Sequence, residues 1–371
     1  MARPPNLTIL HLVANRWWTG SADPVLRLLE GLRARGHRPL LGVIPGDRFE
    51  VKAREAGFPP LPGLSLSSRM GPLGLVRDVS RLRRVIRSER VDLIHAHHSH
   101  DHWLAWLAAR GAVPIVRTFH NLRSVRGGRL DRGLYSRTAV HFAVSRQIEA
   151  RCRDLGLRSR VVWTPGTADL PRFAAETDDG QAIREEFKLG DAPVVVTVSR
   201  LAANRGHELL LNAFRIVLAG LPRARLLLVG KGETRARLEQ TVVEMGLAGQ
   251  VIFTGYRDRD LPEVLAAADC FALMAAGSDD SCRAALEAMA AARPVVARRV
   301  GALPETIAHG ETGLLVDEEG PESVAAALRA ILGDRERARA MGRAGRARAA
   351  AEFGPERSLA ITEDVYCAIV P

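Results

Sequence analysis

Short runs of apolar residues alternate along the chain with amphipathic segments of helical period. The strands predicted by the apolar runs of the first half are 7–14, 39–44, 91–96, 114–119, 141–145 and 160–165. Amphipathic patterns predict helices at 24–35 and 72–89. The strand runs are rich in Val, Ile and Leu with little polar alternation, which is typical of parallel strands buried on both faces. The first half therefore predicts a doubly wound, Rossmann-like α/β domain at 1–165.

The second half repeats this pattern. Its predicted strands are 193–199, 224–230, 250–255, 269–275, 294–297 and 312–316. Its predicted helices are 207–219, 234–246, 261–268 and 281–292. The segment 166–190 between the two sets is polar and rich in turn residues, so we expect an interdomain linker there. Two doubly wound domains facing each other across a cleft would bind ligands at the carboxyl ends of their strands.

Composition and charge narrow the class of protein. The 371 residues are 47% hydrophobic and 26% charged, an ordinary globular balance that argues against a disordered or fibrous chain. The formal net charge is +11, but residues 1–165 hold 28 basic against 12 acidic residues and residues 166–371 hold 25 against 30. The basic half predicts an acidic partner, with nucleic acid, a phospholipid surface and phosphorylated small molecules all compatible.

The sequence lacks the features that would indicate several other classes of protein. The four cysteines form no C-x-x-C pair, so neither a zinc knuckle nor a disulfide framework is predicted. The N-terminus lacks the apolar core of a signal peptide, and no apolar run approaches the roughly 18 residues of a membrane span. No recognised nucleic-acid-binding pattern is present, so nucleic acid is the least favoured partner. We expect a cytoplasmic protein, with peripheral association at the inner face of the membrane left open.

Five histidines stand in the run HAHHSHDH at 95–102. Such a run is compatible with a metal site, yet no Glu or Cys stands at a diagnostic ligand spacing. A strand end that lines a ligand cleft is the favoured interpretation, and no metal site is predicted.

Four further candidates stand in loops that follow predicted strands. A neutral His120 imidazole could bond a sugar hydroxyl, and a buried structural histidine is the alternative. Arg200 and Arg205 flank the start of a helix and could clamp a diphosphate bidentately. Gly20 lies in NRWWTGSADP, where an anion site and a simple tight turn are equally favoured.

The segment AGSDDSCRAALEAMAAARPVVA at 276–297 is the richest in candidate residues. Gly277 to Ser281 form a polar loop that opens a helix, a geometry suited to phosphate. Arg283 and Glu287 lie four residues apart on one helix face. Glu287 is expected to accept the hydroxyls of a ribose, and the alternative is a local salt bridge worth about 0.3–0.5 kcal/mol.

Longer strings around these residues resemble one enzyme family. SRLAANRGHELLLNAF, LLLVGKGETRARLE and FTGYRDRDLPEVLAAADCFALMA, followed by SDDSCRAALEAMAAARPVVARRVGALPETIAHGETGLLV, resemble the donor-binding domain of the retaining GT-B glycosyltransferases of family four. LRARGH, DLIHAH, TFHN and FAVS resemble its acceptor-binding domain. VVWTPGTADLPRF resembles the interdomain stretch. The resemblance implies a donor domain at 191–353 and a C-terminal helix at 354–371 that packs back on the first domain.

The resemblance also implies a role for each candidate residue. Arg200 and Arg205 match the family's Arg-x(4)-Lys element and would hold the donor diphosphate. Asp279 and Glu287 match its Glu-x(7)-Glu element and would bind the transferred sugar and the nucleotide ribose. His120 would bond the sugar near the reacting carbon. The other expected donor-binding residues are Gly20, Ser281, Cys282 and Arg283.

Three positions depart from the family pattern. Asp279 is one methylene shorter than the usual glutamate, which leaves the donor sugar open. Arg205 replaces a lysine, and Pro165-Gly166-Thr167 replaces Pro-Asn-Gly.

The resemblance implies a retaining transferase that moves a sugar from a nucleoside-diphosphate sugar to a hydroxyl of a glycan or lipid-linked acceptor. Cell-envelope polysaccharide, lipopolysaccharide or glycolipid synthesis is the expected context. No cofactor or metal is expected, because the arginines would neutralise the diphosphate. The alternatives are a GT-B nucleotide-sugar epimerase and a non-catalytic protein that binds a charged surface. The basic first half is expected to meet an anionic membrane surface or a phosphorylated lipid-linked acceptor.

Overall fold

The chain divides into two compact units. The computed structural model describes residues 6–15, 22–69, 71–157, 159–174, 180–277, 279–317 and 320–370. The first unit comprises Met1–Gly166, Ser278–Ser281 and Pro355–Pro371. The second comprises Thr167–Gly277 and Cys282–Gly354.

The first unit contains a six-stranded parallel sheet. Its strands are β1 (Thr8–Val13), β2 (Arg38–Val43), β3 (Leu93–Ala96), β4 (Ile115–Phe119), β5 (Val140–Ala143) and β6 (Arg160–Trp163), in the spatial order β2-β1-β3-β4-β5-β6. Its helices before the crossover to the second unit are α1 (Ala22–Ala34), α2 (Arg48–Glu55), α3 (Pro72–Ser88), α4 (Ser99–Ala109), α5 (Arg129–Tyr135) and α6 (Arg146–Asp154). The inner strands are buried on both faces, as a parallel sheet covered by helices requires.

The second unit has the same architecture. Its helices are α7 (Leu170–Ala174), α8 (Gln181–Glu186), α9 (His207–Leu218), α10 (Arg235–Glu244), α11 (Leu261–Ala266), α12 (Arg283–Ala290), α13 (Leu303–Thr306), α14 (Pro321–Leu332) and α15 (Arg335–Glu352). Its strands are β7 (Val194–Val198), β8 (Arg225–Val229), β9 (Val251–Gly255), β10 (Cys270–Leu273), β11 (Val295–Arg298) and β12 (Gly313–Val316), in the spatial order β12-β11-β10-β7-β8-β9. The α/β fold class predicted from the sequence, with two parallel sheets, is confirmed.

The last helix, α16 (Pro355–Ile369), belongs to the first unit. Its Tyr366 is fully buried against His95 and Phe142 on one face of the first sheet. Its Glu363 forms an ion pair with Arg35 and accepts a hydrogen bond from Nε2 of His37 at 2.9 Å. The first unit is therefore completed by the C-terminal end of the chain.

The segment 166–190, expected as a linker, contributes to the core of the second unit. It contains α7 and α8, and its Leu170, Phe173 and Ile183 are buried there. Helix α7 packs against α12 and α15. The segment is polar overall, but Leu170 and Phe173 stand three residues apart and so share the buried face of a short helix.

No helix among the described residues is both long enough and apolar enough to cross a membrane.

Candidate functional site

A buried histidine–carboxylate pair lies at the carboxyl end of β4. His120 directly follows the last residue of that strand, and its Nδ1 is 3.1 Å from Oδ2 of Asp279. Both side chains are buried in the first unit. Burial raises the pKa of Asp279, but hydrogen bonds from His120 and Ser281 outweigh burial and hold that pKa below its usual value. Asp279 is therefore an ionised acceptor at neutral pH.

Backbone hydrogen bonds fix the segment that carries Asp279. The Ser281 amide donates to Oδ1 of Asp279 at 2.7 Å. The Asp280 amide donates to the His120 carbonyl at 2.8 Å, and the Leu122 amide donates to the Asp280 carboxylate at 2.7 Å. The orientation of the Asp279 carboxylate is thus set by the main chain on both sides of the pair.

A chain of histidines extends inward from this pair. His11 on β1 is in register with His95 on β3, and His97 follows two residues later on the same face. The Nδ1 of His97 lies 3.4 Å from Nε2 of His120, and the Nδ1 of His11 lies 3.2 Å from Nε2 of His97. Burial lowers the pKa of His11 to about 3 and lowers the pKa of His97 well below its usual value. His11 and His97 are therefore neutral at physiological pH.

The Asp279 carboxylate determines the direction of the hydrogen bonds along the histidine chain. A carboxylate can only accept, so the proton shared with it must sit on Nδ1 of His120. In a neutral chain, Nε2 of His120 then accepts from His97, and Nε2 of His97 accepts from His11. Nε2 of His11 is buried and has no hydrogen-bond partner among the described residues.

The same cluster contains three histidines whose ring nitrogens lie close enough for a metal to be considered. One nitrogen of each of His11, His95 and His97 lies within 4.8 Å of the others. However, His95 bonds Tyr366 at 2.5 Å and Thr118 at 2.6 Å through its two nitrogens. The rings of His95 and His97 also stack at 4.1 Å, so their in-plane lone pairs do not converge on one point. The geometry favours a hydrogen-bonded chain.

The histidines of the run 95–102 are divided between the end of a strand and a helix. His95 lies within β3 and His97 just beyond it, whereas Ser99 already begins α4. His102 lies on that helix and bonds Thr138 at 2.8 Å. Part of the run lines the site and part of it anchors α4.

In the second unit, the loop after β7 carries both predicted clamp arginines. Nε and Nη2 of the exposed Arg200 lie 3.1 and 2.9 Å from one oxygen of Glu233. Arg205 ends a short 3-10 turn and is followed by Gly206, whose φ is +72°. A Cβ on Gly206 would lie 2.5 Å from Cβ of Met274, so glycine is required there.

The loop after β8 lies directly against the loop after β7. A Cβ on Gly230 would lie 2.0 Å from the Ser199 carbonyl oxygen, and one on Gly232 would lie 2.0 Å from that of Leu201. These contacts bring Glu233 to Arg200 and fix both loops at the carboxyl end of the second sheet.

The N-terminus of α12 carries three further candidates. Cys282 caps it in the left-handed conformation, with φ of +53°, and the helix begins at Arg283. Nε of Arg283 lies 3.0 Å from Oε1 of Glu287, which is buried. The local ion pair considered from the sequence is thus present, and it holds the Glu287 carboxylate in place. The amides of a helix N-terminus attract anions.

Close packing explains the glycine in Pro165-Gly166-Thr167. A Cβ on Gly166 would lie 2.6 Å from Cβ of Ser281, so a larger residue would displace the Asp279 segment. The departure from Pro-Asn-Gly is accordingly linked to the position of the carboxylate.

The predicted site residues fall into two groups. His120, Asp279 and Ser281 lie together in the first unit, whereas Arg200, Arg205, Cys282, Arg283 and Glu287 lie in the second. Gly20 lies outside the described residues.

The sequence analysis missed His11, which belongs to the histidine chain, and its neighbours Asp101, Arg117 and Tyr366. Asp101 accepts hydrogen bonds from the amides of Ala14, His97 and His98, and burial raises its pKa to about 6. Arg117 is fully buried within β4. For His11 and Arg117 the available signal was an imidazole or a charge inside an otherwise apolar strand, because such groups are costly to bury without a partner.

Comparisons with known proteins decide the family. The model described as Glycosyltransferase Family 4 matches residues 18–172, and the model described as Glycosyl transferases group 1 matches residues 179–348. A GDP-mannose-dependent alpha-(1-6)-phosphatidylinositol monomannoside mannosyltransferase of Mycobacterium tuberculosis is 32% identical over 317 residues, 81% of each chain. The chain belongs to glycosyltransferase family four.

Further similarities are consistent with this family assignment. A mannosyltransferase of the same name from Mycolicibacterium smegmatis is 38% identical over 189 residues, about half of each chain. A D-inositol 3-phosphate glycosyltransferase of Thermobispora bispora is 28% identical over 370 residues, 90% of this chain and 83% of that one. Among solved structures, Anabaena Alr3699/HepE in complex with UDP and glucose superposes with a TM-score of 0.84 at 21% identity, covering 97% of this chain and 99% of that one. The GT-B fold and the transferase class expected from the sequence are confirmed, and the epimerase and binding-protein alternatives are not favoured.

Proposed function

We propose that this glycosyltransferase moves a sugar from a nucleoside-diphosphate sugar to a hydroxyl of a glycan or lipid-linked acceptor, with retention of anomeric configuration. The observation that carries the proposal is the buried pair of His120 and Asp279. An ionised carboxylate beside an imidazole binds sugar hydroxyls through charge-assisted hydrogen bonds. Cell-envelope glycolipid or polysaccharide synthesis is the proposed context.

The donor nucleotide is assigned to residues of the second unit. Arg200 and Arg205 would bind the diphosphate, and the exposed pair of Arg200 with Glu233 would give way because such pairs contribute little free energy. The amides at the N-terminus of α12, from Cys282 and Arg283, would add hydrogen bonds to phosphate. Glu287 would accept the ribose hydroxyls.

In the proposed reaction, the bond between the anomeric carbon and the leaving diphosphate oxygen breaks. The acceptor oxygen bonds to the same carbon on the same face, and the acceptor proton passes to the leaving diphosphate. The arginines and helix amides stabilise the charge that develops on the diphosphate, which is usually the largest catalytic contribution. On this account no divalent cation is required, so turnover should persist in EDTA.

The activities named for similar proteins suggest which substrates to try first. GDP-mannose is the donor named for the mycobacterial relatives, and phosphorylated inositol occurs in the acceptor names of both curated types. We therefore propose GDP-mannose, then UDP-glucose, as donors, with inositol phosphate and phosphatidylinositol derivatives as acceptors.

The test is a mass-spectrometric screen of sugar nucleotides, first alone and then with acceptors. We expect glycosylated product only when both substrates are present, with the donor's anomeric configuration retained. Conversion of the donor alone to another sugar nucleotide would instead show an epimerase.

Arg200→Ala and Glu287→Ala should lower turnover at least a hundredfold. Arg235→Ala is the matched control, because Arg235 is also exposed and pairs with one glutamate, Glu239, in the same unit. Unchanged nucleotide release in both site variants, for every donor tested, would refute the assignment.

We also propose that the first unit contacts an anionic membrane surface through α3. Leu73 and Val76 are 88% and 63% exposed near its start, which is unusual for large apolar side chains. Arg77, Arg84 and Arg87 are exposed on the same face of the helix. Apolar insertion flanked by arginine is the pattern of a helix that lies on anionic lipid.

Vesicle sedimentation tests this contact. Arg77→Glu/Arg84→Glu should weaken binding to phosphatidylglycerol vesicles by tenfold or more, since each basic residue at the surface contributes about 1 kcal/mol. Arg151→Glu/Arg153→Glu on α6 makes the same charge change elsewhere and is the control. Equal losses in both double variants would show that net charge alone is sensed.

A further inference from the structure

A cavity of about 280 Å³ opens beside His120 in the first unit. Three arginines line it, with Arg117 from β4 and Arg123 and Arg126 from the segment that follows His120. His98 and Ser99, at the start of α4, also line the cavity. The cavity adjoins the proposed sugar site through His120 itself.

Among the described residues, these three arginines form no close ion pair, although the charge of Arg123 reaches Asp280. Among the residues that the structure describes, none of Arg117, Arg123 and Arg126 has a carboxylate oxygen within 4.0 Å of its guanidinium. Arg123 and Arg126 are exposed, but Arg117 is only 1% exposed. Arginine is normally buried with a bonded partner, because an unpaired buried charge costs several kcal/mol.

Arg117 is an unsatisfied donor in the wall of the cavity. Its Nε and Nη1 are buried and have no hydrogen-bond partner among the described residues. Burial lowers the pKa of Arg117 to about 10, and the charge of Asp101 offsets only part of that effect. Asp101 itself is committed to three backbone amides. The Arg117 guanidinium thus stays charged at neutral pH, and no carboxylate in the described part of the chain is bonded to it.

The start of α4 adds to the positive potential. Ser99 is the first residue of this eleven-residue helix and lines the cavity. The N-terminus of a helix carries roughly half a positive charge and directs free amides outward. Guanidinium groups and a helix N-terminus therefore converge on one small space.

We propose that this cavity binds a phosphate group of the acceptor through Arg117, Arg123 and Arg126. The inference rests on the proposed function and specifies its acceptor class. A phosphate offers more acceptor oxygens and more charge than a carboxylate, and it matches guanidinium geometry bidentately. Bound there, it places the rest of the acceptor next to His120 and Asp279.

The test is calorimetric titration of the full chain with myo-inositol 1-phosphate, with inorganic phosphate and with unphosphorylated myo-inositol. We expect the two phosphates to bind and myo-inositol to bind at least tenfold more weakly. Arg123→Gln and Arg126→Gln should each weaken inositol phosphate binding about tenfold, because a charged hydrogen bond contributes that much. Both are exposed, so these variants should fold even if Arg117→Gln does not.

Arg132→Gln is the control, because Arg132 is an exposed arginine of α5 outside the cavity. Binding that is unchanged in Arg123→Gln and Arg126→Gln, or that is lost in Arg200→Gln instead, overturns the proposal and assigns phosphate to the nucleotide loops.

Vesicles distinguish a lipid headgroup from a soluble phosphate. If phosphatidylinositol in phosphatidylcholine vesicles competes with inositol phosphate, the acceptor phosphate is that of a lipid, and if it does not, the acceptor is soluble. Both results support the phosphate site. If the wild-type chain turns over no sugar nucleotide, the proposed function fails, whereas the titration still decides whether the cavity binds phosphate.

Discussion

The Asp279 carboxylate determines where the protons lie along the histidine chain. The carboxylate accepts from His120, and the same direction then passes through His97 to His11. A neutral imidazole alone would leave two arrangements open, one with every proton on Nδ1 and one with every proton on Nε2. The carboxylate at one end selects the first.

We predict that His97 and His11 are Nδ1–H tautomers, with the proton shared between His120 and Asp279 on Nδ1 of His120. Two other histidines serve as internal controls, because backbone amides donate to Nδ1 of His37 and of His309 and so require the Nε2–H form there. Imidazole ¹⁵N shifts, assigned with single His→Gln variants, measure this directly. An Nε2–H tautomer at His97 would mean that the chain does not run from Asp279.

At the scale of elements, the sequence predicted the positions of the strands better than the side-chain contacts between distant elements. All twelve strands of the two sheets were visible as apolar runs, because parallel buried strands leave a strong hydrophobic pattern. The contact of Tyr366 with His95 joins residues 271 positions apart, and no local pattern encodes it. Asp279 and Glu287 could be found because both stand in one short motif, whereas Arg117 gave only the weak signal of a charge inside a strand.

The turn that carries Arg205 depends on a glycine. Gly206→Ala combines a positive φ with a clash against Met274, so we expect a loss of about 3 kcal/mol or more in unfolding free energy. Gly246→Ala is the matched control, since its φ is +69° and nothing lies within 4 Å of the added Cβ. It should cost only about 1 kcal/mol, the penalty of the left-handed backbone. Equal losses in denaturant melts would show that close packing at Gly206 is unimportant.

Helix α16 should be held to the first unit by a pH-dependent ion pair. Burial raises the pKa of Glu363, but hydrogen bonds from His37 and Arg35 lower it more, so its pKa lies below 4.5. The pair therefore stabilises the fold fully above that value and ceases to do so as pH falls through the folded pKa. We expect Glu363→Gln to cost about 1–3 kcal/mol at pH 7 and progressively less as pH falls through the folded pKa.

A second glutamate that pairs with Arg35 provides the control for this ion pair. Glu356 bonds the same Arg35 at 3.0 Å, but its side chain is 82% exposed. Glu356→Gln should therefore change the unfolding free energy by less than about 0.5 kcal/mol at any pH. A Glu363→Gln penalty that stays undiminished throughout an acid titration would contradict an electrostatic origin.

At the scale of the whole molecule, folding redistributes the charge asymmetry of the sequence. The residues before 166 carry a net charge of +16, and the Ser278–Ser281 segment and the last seventeen residues each bring two net negative charges to the same unit. The first unit thus has a formal charge of +12 and the second of −1. Anion binding in the second unit must therefore come from a few placed groups, whereas the first unit also presents a broad positive field.

This difference predicts that salt weakens binding by the first unit much more than binding by the second. Binding of the first unit to phosphatidylglycerol vesicles should fall steeply between 0.05 and 0.5 M NaCl, because exposed charges are screened over a Debye length of about 10 Å at 0.1 M. Binding of GDP or UDP, measured by the rise in melting temperature, should change far less, since its contacts include the buried Glu287 and amides at a helix start. Parallel titrations on one preparation measure both, with phosphatidylcholine vesicles as the uncharged control. If nucleotide binding weakens with salt as steeply as vesicle binding, the nucleotide is held by the diffuse charge of the surface, and the assignment of Arg200, Arg205 and α12 to the diphosphate loses its physical basis.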